Sequence, residues 1–141
     1  MKRHTLRGRV GPSTTKRLIL NDGRLTHGMV VKEFYVWTIS QASGDDVDCI
    51  LSLSGTVTAE MDASDNRQIG WARETTTAGT RLASMAIIDP DHIVVQDLWI
   101  SNLETTAGSE ANYLVILEAK ELSDNESVLQ LIKERSQDDP R

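Results

Sequence analysis

Histidine, carboxylate and thiol are the side chains that most often do chemistry, so their spacing is the first thing to read. His4, His27 and His92 each stand alone, with neither a histidine four residues away nor a cysteine nearby. That rules out the local spacing of a zinc site. Carboxylates cluster as Asp45, Asp46 and Asp48, as Asp62 and Asp65, and as Asp89 and Asp91. Each cluster falls among turn residues, where Asp serves to bond nearby backbone amides. None has the alternating oxygen ligands, central glycine and terminal glutamate of a calcium loop. Cys49 is the only cysteine, so no intrachain disulfide forms, which fits a reducing compartment. It alternates with Leu51 and Leu53, the pattern of a small buried hydrophobe. No dinucleotide fingerprint, phosphate-binding Gly-Lys-Ser/Thr loop or nucleophile elbow occurs. The residues thus assemble no catalytic set and call for no cofactor, no metal and no small-molecule substrate.

The basic residues do form a pattern. Lys2, Arg3, Arg7, Arg9, Lys16 and Arg17 lie within the first twenty residues, which contain no Asp or Glu. The chain of 141 residues nevertheless carries a formal charge of −6, so residues 21–141 hold a net −12. This is a basic start on an acidic body, and it bears on partners rather than on fold. Along "HTLRGRV", Leu6 and Val10 take one parity and Arg7 and Arg9 the other, as in a strand with one basic face. Three roles are open to these cations. They could guard a sheet edge against wrong pairing, meet the acidic surface of a neighbouring copy, or neutralise nucleic-acid phosphates. The aromatics Phe34, Tyr35, Trp37, Trp99 and Tyr113 sit in strong strand patterns and read as sheet and core anchors. Trp71, in the polar stretch "QIGWARE", is expected to be an exposed aromatic.

The elements that must position these residues are strands. Period-two alternation of β-branched, aliphatic and aromatic residues marks 27–40, 48–61, 81–88, 92–103 and 111–122. "HTLRGRV", "KRLIL" and "RQIGWAR" add weaker ones, about eight in all. Within 27–40, strict alternation groups Val31, Tyr35, Trp37 and Ile39 on one face and Val30, Phe34 and Val36 on the other. Gly55 suggests a bulge within 48–61. Turn chemistry at "NDG", "SGDD", "DASDN", "TTAGT", "DPD" and "TTAGSE" separates the strands. The period changes at "SDNE", a capping box with Ser123 as N-cap and Glu126 three residues on. Val128, Leu129, Leu131 and Ile132 then form an apolar helical stripe, and Val128, Leu129 and Ile132 are candidate packing or interface residues. The expectation is an all-β, antiparallel β-sandwich of jelly-roll type with a short C-terminal α-helix. Residues 1–20 form the basic arm or first strands, 21–122 the sandwich and 123–141 the helix and tail, in a single domain. No apolar run approaches the ~18 residues of a membrane helix, and the basic start lacks the apolar core of a signal peptide.

The stretches "MKRHTLRGRV", "LNDGR…HG…V…F.VW", "DPDHIVVQDLWISN" and "LQLIKERSQDD" together resemble small uncharacterised proteins of marine bacteriophages and related environmental viruses. That resemblance covers most of the chain and implies a virion component. The expected function is that of a bacteriophage structural protein, a capsid or capsid-associated subunit assembling in many copies and made in the host cytoplasm. Its partners would be itself and other virion proteins, with the packaged genome as a further candidate for the basic start. Two other readings are a carbohydrate- or receptor-binding tail module using Trp71, and a nucleic-acid-binding protein using the basic N-terminus.

Overall fold

The computed structural model describes residues 3–18, 27–39, 46–55, 60–77, 80–94, 97–105 and 109–121. Nine strands account for most of these: β1 (Arg3–Val10), β2 (Thr14–Leu18), β3 (His27–Thr38), β4 (Val47–Ser52), β5 (Gln68–Thr77), β6 (Thr80–Ile88), β7 (Ile93–Val94), β8 (Leu98–Asn102) and β9 (Ala111–Glu121). Every pairing is antiparallel. The strands form a four-stranded sheet in the order β1-β9-β3-β7 and a five-stranded sheet in the order β2-β8-β4-β5-β6. Among the described residues there is no helix. The helix expected over 123–141, with Val128, Leu129 and Ile132, lies outside them, as do the turn at 21–23, Val57 and Ala59.

The alternation read from the sequence is what buries the core. Val31, Phe34, Val115 and Leu117 from the first sheet meet Leu51, Ile69, Ala72, Leu98 and Ile100 from the second in one hydrophobic cluster. β9 shows the cleanest pattern, buried at each odd position from Ala111 to Leu117 and half-buried at the residues between. Its two flanks are both occupied, by β1 and β3. A central strand covered on one face must alternate in this way.

Three details of the sequence reading are corrected. The run 92–103 is two strands, not one: β7 joins the first sheet and β8 the second, so the chain crosses between sheets there. The crossing leaves Asp97 buried at the start of β8, where the guanidinium of Arg17 bonds it. Parity also fails in β3. Val31 opposes Leu117 and Glu33 opposes Ile116, so Lys32 is an extra residue in a β-bulge. The bulge resets the alternation and puts Val31 on the buried face with Phe34, Val36 and Thr38, leaving Tyr35, Trp37 and Ile39 exposed. Finally, β4 ends at Ser52, and its register shift falls between Leu51 and Ser52 rather than at Gly55.

The opposite sheet packs closely against β5 at Gly70, which has no side chain. A Cβ at Gly70 would stand 3.3 Å from Leu51 Cβ on the neighbouring strand and 3.4 Å from Phe34 Cδ2 on the opposite sheet. Gly70→Val therefore overpacks the core and is expected to remove about 1–3 kcal/mol of stability. Urea unfolding should show a lower midpoint at an unchanged slope. An unchanged midpoint would contradict the close approach of the sheets at Phe34.

Candidate functional site

The six basic residues singled out by sequence do not form one cluster. β1 is an edge of the first sheet and β2 an edge of the second. Arg3, Arg7 and Arg9 are exposed along one face of β1, with His4, Leu6 and Gly8 half-buried between them and Val10 buried. Lys16 and Arg17 are on the other sheet, and Lys2 lies outside the described residues. Arg17 donates to Asp97 Oδ2 from Nε at 2.6 Å and also from Nη2, and its guanidinium lies 6.0 Å from the Trp99 ring. Lys16 stands 5.5 Å over the Tyr113 ring.

The arginines whose side chains are described fall into two classes. Arg17, Arg67 and Arg73 are each bound through two nitrogens to an aspartate, respectively Asp97, Asp65 and Asp48. Arg3, Arg7 and Arg9 make no ion pair among the described residues. The strand register then sets these cations beside aromatics that the sequence reads as sheet and core anchors. Arg9 opposes Asn112, which opposes Trp37, and Arg7 opposes Leu114, which opposes Tyr35. Trp37 is 37% and Tyr35 43% exposed. Arg7, Arg9, Trp37, Asn112 and Leu114 line a shallow depression of about 450 Å³. Trp71, expected to be the exposed aromatic, is instead half-buried. It sits between Ile50 and Ile87 in the middle of its sheet, and its indole N–H donates to Gln68 Oε1 at 2.8 Å.

A second feature lies at the opposite sheet edges. β7 pairs only with Met29 and Val30, so the rest of β3 has no strand on that side among the described residues. β6 ends the other sheet. Between Tyr35–Trp37 of β3 and Ser84–Ala86 of β6 runs a cleft of about 230 Å³, lined also by the buried Glu74. Beside it Ile39, Met85 and Ile87 are exposed at 41%, 36% and 52%.

The carboxylate clusters serve the backbone and their own partners. Asp62 Oδ1 accepts from the Ser64 amide and hydroxyl, and these bonds hold its carboxyl below the usual range. Asp65 is lowered chiefly by Arg67. Asp89 Oδ1 accepts from the Asp91 amide. Cys49 is fully buried, and burial pushes its thiol far up, with the charges of Asp48 and Glu104 adding to the effect, so no thiolate is on offer. His92 is buried and His4 half-buried, on separate strands or loops. Among the described residues, no group of three or more His, Cys, Asp or Glu is arranged to hold a metal ion, and no helix is long and apolar enough to cross a membrane.

One titratable pair departs from this quiet picture. Asp48 accepts from Arg73 Nε at 2.5 Å and Nη2 at 3.0 Å. Burial raises its pKa, but hydrogen bonds from Arg73 and Glu104 outweigh that, and the net shift is downward. Glu104 is pushed up to about 7, first by burial and then by the hydrogen bond and charge of Asp48. Comparison with family models, with curated proteins and with solved structures returned no match.

Because the folded chain holds the Glu104 proton more tightly than the unfolded chain, stability falls as pH rises from the ordinary glutamate value of 4.5 through about 7. Glu104→Gln keeps a donor for Asp48 and removes the titration. Its Tm should match the parent near pH 4 and exceed it at pH 8, by thermal denaturation at both values. An equal difference at the two pH values would show that Glu104 does not carry the shift.

Proposed function

We propose that this protein is a structural subunit of a virion, a jelly-roll β-sandwich that assembles in many copies, and not an enzyme. The pairing scheme supports the jelly-roll part of this reading. β1 pairs with β9, β2 with β8, β3 with β7 and β4 with β5. That is one long hairpin with its arms nested and rolled over, which is the way a jelly roll generates two four-stranded sheets. β6 is then an added edge strand beside β5. The virion part rests on the phage resemblance of the sequence and on the frequent use of such folds in viral shells, an analogy of fold rather than of site.

The observation that carries assembly is the contrast between edges. An unpaired strand edge is a template for another chain, and proteins blunt edges with charge or brevity. β1 bears Arg3, Arg7 and Arg9, β2 bears Lys16 and Arg17, and β7 has only two residues. β6 has nine, and from Ala83 to Ile88 it carries no charge. Ser84, Met85, Ala86 and Ile87 are all exposed. An apolar, long, open edge beside the exposed Tyr35, Trp37 and Ile39 is a surface suited to a neighbouring copy, which would add a strand at β6 or fill the cleft against β3.

Mass photometry and negative-stain microscopy over a concentration series test this directly. The chain should form oligomers or closed shells. Met85→Lys with Ile87→Lys should shift it to monomer while changing stability by no more than about 0.5 kcal/mol, as exposed positions allow. A chain that stays monomeric at every concentration and at low salt would overturn the proposal.

A further inference from the structure

We infer that the outer face of β1, β9 and β3 binds single-stranded nucleic acid, with Arg7 and Arg9 on successive phosphates and Trp37 stacked on a base. This goes beyond assembly: the surface is centred on β1 and β9, away from the β6 edge, and meets the assembly cleft only at Tyr35 and Trp37, which is why binding is also read on a form that does not assemble. The first ground is charge. While Arg17, Arg67 and Arg73 are bound by aspartates, Arg3, Arg7 and Arg9 are exposed and make no ion pair among the described residues, in a chain whose net charge is −6. Free guanidinium groups lined along one strand suit a row of phosphates, since each can bond an anion through two donors.

The second ground is spacing. Alternate residues on a strand lie about 6.8 Å apart, close to the separation of neighbouring phosphates on an extended single strand. Arg9, Asn112 and Trp37 stand in one row across three strands, so cation and indole are roughly 10 Å apart at the backbone. A nucleotide can bridge that span, with its phosphate over β1, its sugar near Asn112 and its base on Trp37. Stacking needs an unpaired base, which is why a single strand and not a duplex is the ligand. Leu114 and Tyr35 continue the platform beside Arg7.

Three acidic residues border this face: Glu110, whose carbonyl accepts from the Ile39 amide at 3.3 Å just beyond the Asn112–Trp37 row, Glu118 and Glu33. Glu118 opposes Arg3 at the far end of the strand and lies 3.9 Å from the Lys32 ammonium. Glu33 accepts the Tyr35 hydroxyl at 2.7 Å. The anion track runs over Arg7 and Arg9, between Glu110 at one end and Glu118 at the other.

Fluorescence anisotropy of a labelled short oligothymidylate, titrated at several salt concentrations, provides the test. It is run on the full chain and on the Met85→Lys, Ile87→Lys form, so that failure of assembly and failure of binding are read separately. Binding should weaken with salt. Arg7→Ala with Arg9→Ala should lower affinity at least tenfold and flatten the slope of log affinity against log salt by about 1.4, the value for two phosphates on a single strand. Trp37→Ala should weaken binding about tenfold with the slope unchanged, and Trp37→Phe should largely restore it. Lys16→Ala, which removes a cation on the other sheet that lies over the Tyr113 ring, should cost less than the loss of the two β1 arginines. Arg7, Arg9 and Lys16 are exposed, so their variants should keep the parent Tm, and Trp37→Phe serves as the packing control for Trp37, which is 37% exposed. Absence of binding at low salt would overturn the inference, and so would equal losses from Lys16→Ala and from the β1 arginines. Displacement of the oligonucleotide by polyglutamate, with no effect of Trp37→Ala, would identify the ligand as an acidic protein surface and overturn it as well.

Discussion

Everything in this molecule depends on how a nested antiparallel chain disposes of its sheet edges. Pairing first with last and second with second-to-last places β9 and β8 inside their sheets, where both flanks are satisfied. Among the described residues the same nesting leaves four strands at edges, each with a row of backbone donors and acceptors that lack strand partners. Two of these, β1 and β2, come from the N-terminal twenty residues, and that explains why an acidic protein starts basic: the cations sit where an uncharged strand would invite indiscriminate pairing. A third edge is shortened to Ile93 and Val94. Among the described residues, β6 and the second half of β3 keep both length and an apolar surface at an edge without a strand neighbour, and these are the edges we propose a neighbouring copy uses.

The partition of charge follows the same logic. In the β2-containing sheet and its loops, Arg17, Arg67 and Arg73 are fixed by aspartates in two-pronged bonds, as Arg73 is by Asp48 and Arg67 by Asp65. Such pairs position the chain and contribute modestly to stability where they are exposed. On β1 the guanidinium groups have no such duty among the described residues. A surface that guards an edge and a surface that receives a polyanion need the same chemistry, and here the register adds an indole to the second use.

Much of the fold was legible because period-two alternation survives wherever a strand is covered on one face only, as in β9 and in β1 with its exposed arginines. It was lost where one residue broke the count. Lys32 looks like an ordinary charged residue in sequence, yet as a bulge it moves Val31 into the core and exposes Trp37. The break between β7 and β8 was hidden for a related reason: a continuous apolar run does not reveal that its halves serve different sheets. The platform of Arg9, Asn112 and Trp37 was out of reach for another reason. Its members lie far apart in the chain and are joined only by register, which composition does not encode. A free cation and a paired one also look identical in sequence. Trp71 drew notice for its polar neighbours, but one of them, Gln68, binds its indole N–H, and Ile50 and Ile87 flank it across the sheet.

The central claim is that β6 is the contact edge, and amide hydrogen exchange tests it without altering a residue. Exchange would be followed strand by strand at low and high protein concentration. The account predicts that outward-facing amides of β6, together with those of the second half of β3, gain protection as concentration rises, while β1 and β2 do not change. Protection that is independent of concentration, or that grows on the arginine-bearing edges instead, would contradict it.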